Sequence, residues 1–134
     1  MLDSQTNDSA SRRASDLLTD RLYEPWSVDR LASALGLSPR TLHRVVRREL
    51  GVSPMRLVRR ARLAQARAGL EAPVPGATVT SVAFDCGFAH LGRFSGDYAR
   101  QFGESPSETL RRARARRRQA GLASLIPETA VTAA

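Results

Sequence analysis

Arg40, His43, Arg44, Arg47 and Arg48 recur at the intervals that gather side chains on one face of a helix, while Leu42, Val45, Val46 and Leu50 gather on the other. The chemistry open to such a face is recognition of a polyanion. A guanidinium is planar and permanently charged, and its fork matches both a phosphate and the O6 and N7 edge of guanine. Arg40, His43 and Arg44, near the start of the helix, are the candidates for base edges in a major groove; Arg47 and Arg48, further along, suit phosphate oxygens. An ordinary solvated arginine face is the alternative for this helix taken alone.

Other chemistries find little support. His43 has no second histidine or acidic neighbour at ligand spacing, and Cys86 is the one cysteine, so neither a metal centre nor a disulfide framework is expected. Paired carboxylates and a phosphate-cradling glycine loop are also missing, which argues against an enzyme and against a cofactor. The net charge of +8 points to a polyanion partner such as double-stranded DNA, whereas the fact that all 21 basic residues are arginine is equally explained by GC-rich coding. A signal peptide or an apolar run of membrane length is not seen in the sequence, so a cytoplasmic, nucleoid-associated protein without a membrane partner is expected.

The elements that must position the arginine face follow from capping residues. Residues 1 to 11 are polar and aperiodic and read as a disordered tail, after which Ala14, Leu17, Leu18 and Leu22 predict a helix from about Arg12 to Tyr23. Ser27 caps the next helix, with Trp26 and Leu31 at the positions of a hydrophobic staple. Gly36 makes a turn, Ser38 caps and Pro39 opens the arginine-bearing helix, so the first helix-turn-helix spans about 27–50. A long helix over about 54–70 carries Leu57, Val58, Ala61 and Ala64 inward and would extend for roughly 25 Å at 1.5 Å per residue. The proline-rich segment 71–78 reads as a flexible connection.

The chain then repeats itself. A shift of 51 places Ala32 on Ala83 and Gly36 on Gly87; a shift of 52 places Leu42 on Phe94, Gly51 on Gly103, Ser53 on Ser105 and Pro54 on Pro106. A second helix-turn-helix is therefore predicted over about 79–102, with Val82, Ala83 and Cys86, then Phe94, Tyr98 and Phe102, facing inward. Ser105, Pro106 and Glu108 open a closing helix over about 106–118, whose arginine run reads as solvated or loosely phosphate-bound; residues 121 to 134 read as a flexible tail.

A tandem helix-turn-helix with a long helix between the copies resembles the DNA-binding domain of the AraC/XylS transcription regulators. The match runs from about Arg12 to Arg118, and the CGF, RFS and FGESP pieces of the second copy are its most specific part. The resemblance implies an all-α fold of about seven helices, two homeodomain-like subdomains joined by a linker helix, the domain covering about 12–120. It implies recognition helices in successive major grooves of promoter DNA, about one helical turn apart, and contact with RNA polymerase where the protein activates. Many members carry an effector-binding and dimerisation domain ahead of this region. The residues before Arg12 are too few to contain one, which leaves a short stand-alone member and a part of a longer protein both open.

The second recognition helix departs from the family. Its outer face contains Gly92, Ser95, Gly96 and Ala99, with Arg93 and Arg100 alongside, where many members have an arginine at the position of Gly96. Ser95 is the one side chain there able to hydrogen-bond a base edge, Gly92 allows close approach, and Leu91 either packs inward or meets a thymine methyl. Arg93 and Arg100 are assigned to the DNA backbone. The expectation is an asymmetric, sequence-specific transcription regulator; the alternative is a nonspecific arginine-rich protein that binds DNA or RNA.

Overall fold

The computed structural model describes the backbone of residues 2–125 and the side chains of residues 10–125. Among the described residues the elements are all helices: α1 (Leu2–Asp20), α2 (Val28–Leu35), α3 (Pro39–Leu50), α4 (Pro54–Glu71), α5 (Val79–Asp85), α6 (Leu91–Phe102) and α7 (Pro106–Leu125). They form two compact units that divide within α4, between Ala64 and Gln65.

In the first unit, α1 and α2 pack on α3 around Ala14, Leu18, Trp26, Leu31, Ala32, Leu35, Leu42, Val46, Val52 and Val58. Trp26 and Leu31 share this core, as the staple requires. The Trp26 indole donates to the Arg21 carbonyl at 2.8 Å, which occupies its one polar atom and makes the residue structural. Arg62 of α4 donates to the carbonyls of Leu22, at 3.4 Å, and Glu24, at 2.9 Å, holding the loop after α1. Helix α1 begins at Leu2, so the tail expected over residues 1 to 11 is helical from Leu2 onward. Nothing between Leu2 and Asp20 breaks a helix, glycine and proline both being absent, and Ala10 and Ala14 are buried. At its other end α1 stops at Asp20, short of the expected Tyr23.

The second unit is built on the same plan with different chemistry in its core. Phe88, Phe94, Tyr98 and Phe102 form a continuous row, with ring centroids 4.8, 5.7 and 4.7 Å apart, and the Arg67 guanidinium lies 4.6 Å from the Phe102 centroid. Tyr98 and Thr109 are fully buried and hydrogen-bonded at 2.7 Å. The Thr109 hydroxyl also donates to Glu104, at 2.8 Å, so Tyr98 is the donor to Thr109. Arg112 closes the chain with a two-pronged contact on the Glu104 carboxylate, one prong at 2.6 Å. At the corresponding positions of the first unit stand Val46, Val52 and Leu57, an apolar set.

That contrast carries a pH consequence. The hydrogen bonds from Arg112, and then from Thr109, lower the Glu104 carboxyl from its ordinary 4.5 to about 2. A carboxyl depressed in the folded state stabilises the fold above its unfolded pKa, and that contribution is lost as pH falls toward the folded value. Acid titration of the intact chain between about pH 4.5 and about pH 2 should therefore loosen α6 and α7 before α2 and α3. Glu104→Gln should remove this step from the titration, read by amide exchange; an unchanged acid profile in the variant would count against the assignment.

Two further expectations are corrected in this unit. The arginine run of α7 is not simply solvated, because Arg114 donates to the Ala77 carbonyl and Arg117 to the Pro73 carbonyl, besides Arg112 on Glu104. These contacts pin the segment 71–78, read as flexible, to α7; Pro73 and Ala77 are buried and Ala77 N–H closes a turn on Val74. Proline and glycine content alone does not reveal that carbonyls will lie beside a helix rich in donors. Helix α7 also continues to Leu125, past the expected end at 118, and residues 126–134 of the expected tail lie outside the described residues.

Candidate nucleic-acid interface

Each recognition helix is aimed by the turn before it, and both turns have one geometry. Gly36 takes φ 71°, its N–H bonds Ser33 O, and Leu37 N–H reaches back to Ala32 O at 2.9 Å. Gly87 takes φ 86°, its N–H bonds Phe84 O, and Phe88 N–H reaches Ala83 O at 2.9 Å. This pair of bonds satisfies the last carbonyls of α2 and α5 and needs a left-handed residue, which glycine adopts without strain. Ala32 and Ala83, each four residues before its glycine, are both fully buried. The repeat read from sequence is thus a repeat of hydrogen bonds.

Downstream of the first turn, Ser38 accepts the Thr41 N–H at 3.2 Å and α3 runs from Pro39 to Leu50, as expected. Leu42, Val45 and Val46 are buried, while Arg40, His43, Arg44, Arg47 and Arg48 are all exposed. Arg48 lies 3.6 Å from Glu49, a surface contact of small energetic weight. Among the described residues none forms a hydrogen bond or ion pair with the side chains of Arg40, Arg44 or Arg47. Their guanidinium donors are therefore unspent. By contrast Arg13 donates to Leu35 O, and Arg62, Arg112, Arg114 and Arg117 serve carbonyls or carboxylates within the fold. These arginines help to build the scaffold, whereas those of α3 are presented.

Helix α6 buries Phe94 and Tyr98 and exposes Gly92, Arg93 and Arg100; Ser95, Gly96 and Asp97 are half-buried, and Leu91 is 36% exposed. The middle of the outer face, at Gly92 and Gly96, therefore has no side chain of its own, with Arg93 and Arg100 exposed beside it. The residue that sequence reasoning passed over is Asp97. Its carboxylate accepts from Arg100 Nη2 at 2.6 Å, and it occupies the position that Val45 fills in the first copy. A carboxylate three residues before a single arginine is an ordinary surface pattern, so nothing local marks it.

Among the described residues no group of histidine, cysteine or acidic side chains could hold a metal ion, and no helix is long and apolar enough to cross a membrane. Cys86 is buried, 4% exposed, at the end of α5.

Comparison with known proteins agrees with this geometry. The model of the family described as a helix-turn-helix domain matches residues 31–112. The XylDLEGF operon transcriptional activator of Pseudomonas putida is 37% identical over 100 residues, which is 74% of this chain and 31% of that protein. A probable AraC family transcriptional regulator from Rhodopseudomonas palustris CGA009 is 37% identical, with a TM-score of 0.72 over 78% of this chain and 97% of the solved one. The DNA-binding domain of AdpA, a global transcriptional factor solved in complex with a target DNA, is 31% identical, with a TM-score of 0.69 over 81% of this chain and 96% of that one. Against the Pseudomonas activator the match covers less than a third of the longer protein. Paired turns of one geometry, a buried alanine under each and the extent of these matches lead to one statement: the chain belongs to the AraC/XylS family of helix-turn-helix transcription regulators and contains its DNA-binding domain.

Proposed function

We propose that this chain is a sequence-specific reader of promoter DNA that regulates transcription, with α3 and α6 entering successive major grooves. The observation that carries the reading is the exposed, unspent Arg40, His43 and Arg44 face of α3, set by a turn that the chain builds twice. Arg40 and Arg44 read guanine edges, His43 contacts a base or its neighbour, and Arg47 and Arg48 hold phosphates. On α6, Gly92 and Ser95 permit close backbone approach, Leu91 meets a thymine methyl at the groove edge, and Arg93 holds the flanking phosphate. The readers are unequal, so the site need not be a palindrome. The AdpA domain solved on its target DNA supports the assignment of the partner. Activation would require contact with RNA polymerase, and DNA as a partner places the protein in the cytoplasm with the nucleoid.

Binding-site selection from random duplex DNA at near-physiological salt tests this. The expected result is a bipartite motif with centres about 10 base pairs apart. Tight binding to every duplex with no enriched motif would instead describe a general polyanion binder, for which no phased repeat is needed. Salt dependence alone does not separate the two, since both release counterions.

A further inference from the structure

We propose that Arg100 is a base-reading residue of α6, oriented by Asp97 across the lane left open by Gly92 and Gly96, and not a phosphate clamp. This rests on the reading of α6 as a DNA-entering helix. A two-residue step turns a helix by about 200°, so Gly96 stands opposite the buried pair Phe94 and Tyr98 and marks the centre of the outward face. Gly92 and Arg100 lie one turn before and after it on the same ridge. Side chains on a helix lean toward its N-terminus, which carries a long side chain at 100 back over 96. A Cβ placed on Gly96 would stand 3.8 Å from Arg100 Nη2. The guanidinium thus lies alongside the place where a side chain at position 96 would begin, in ordinary van der Waals contact with it.

Its orientation is fixed from one side. Asp97, its side chain 14% exposed, accepts from Arg100 Nη2 at 2.6 Å, while the Arg100 side chain is 77% exposed. One edge of the fork is held by the carboxylate and the remaining donors face outward. A guanine presents acceptors at O6 and N7 in the major groove, matching a fork held in a fixed plane, whereas a phosphate needs only charge. The partial neutralisation by Asp97 also makes Arg100 a poorer phosphate contact than Arg93, for which no described residue supplies a hydrogen bond or ion pair. The two copies therefore solve one problem differently. Arg44 sits at the centre of the α3 face and projects for itself; Gly96 leaves that centre empty and Arg100 reaches it from the next turn.

The test is binding-site selection followed by titration of the selected duplex and of single-base variants in the half-site under α6. Wild-type protein should require a guanine there. Arg100→Lys keeps the charge but not the fork, and should lose roughly 5- to 150-fold at that base while binding scrambled duplex as the wild type does. Asp97→Asn keeps the shape and removes the steering charge; it should relax the same base preference without lowering affinity for scrambled duplex. Retention of the wild-type motif by Arg100→Lys, with Arg100→Ala weakening all sequences alike, would overturn the proposal and return Arg100 to the backbone. In that outcome the bipartite motif survives, so the DNA-reading assignment stands; a wild-type protein that selects no motif would overturn both.

Discussion

Arg44→Ala is expected to weaken binding to the selected duplex by about 1 to 3 kcal/mol, roughly 5- to 150-fold, and to flatten the base preference at one position of the half-site under α3. The size follows from what the residue has available. Its side chain is exposed, no described residue takes its donors, and it lies one turn beyond Arg40 on the face opposite Leu42, Val45 and Val46. A bidentate contact to guanine leaves two acceptors unmet when it is removed, which a contact to phosphate, with its mobile counterions, does not. Arg47→Ala is the control. Nearer the C-terminal end of α3, it should reduce affinity for cognate and scrambled duplex about equally and lower the salt slope by about 1. Equal losses on both duplexes for Arg44→Ala would move that residue to the backbone as well.

The reason α3 could be read from sequence and α6 only in part lies in where the information resides. Capping serines, prolines at the first helical position and glycines after the last are local signals; α3 begins and ends where they place it, whereas α6 has only the glycine at its end, its start at His90 lacking any side-chain cap. Burial of Leu42 and Phe94 follows from periodicity in the same way. Contacts between residues distant in sequence do not. Arg117 on the Pro73 carbonyl and Arg62 on the loop after α1 turn charges that look solvated into scaffold. Likewise the glycines of α6 are visible in the sequence, whereas the approach of Arg100 to Gly96 and its pairing with Asp97 depend on a side-chain conformation that the sequence does not give. The polar chain from Tyr98 to Arg112 shows the same limit, because threonine, glutamate and arginine read individually as surface residues.

Phe94→Ala should lower stability by about 3 to 5 kcal/mol. Phe94 is 1% exposed and its ring contacts Phe88 and Tyr98, with centroids 4.8 and 5.7 Å away, so removal leaves a cavity lined by two other aromatics. Each such ring pair adds about 0.5 to 1.5 kcal/mol beyond burial, and the Tyr98 hydroxyl must keep its bond to Thr109, which limits how far Tyr98 can move to fill the space. Leu42→Ala, at the corresponding position of the first unit, should cost about 2 to 5 kcal/mol, toward the lower end because its neighbours Val46 and Val52 are held by no polar contact and can close in. Against a typical total of about 5 to 15 kcal/mol, the Phe94 loss is a large share of what holds the second unit. Chemical denaturation measures the size, and hydrogen exchange gives the place: amides of α5, α6 and α7 should lose protection while those of α2 and α3 keep theirs. A loss below about 1 kcal/mol would mean that Phe94 does not anchor α6. In binding-site selection the same variant should keep the half-site under α3 and lose the other, because a helix without its buried face has no fixed surface to present to a groove.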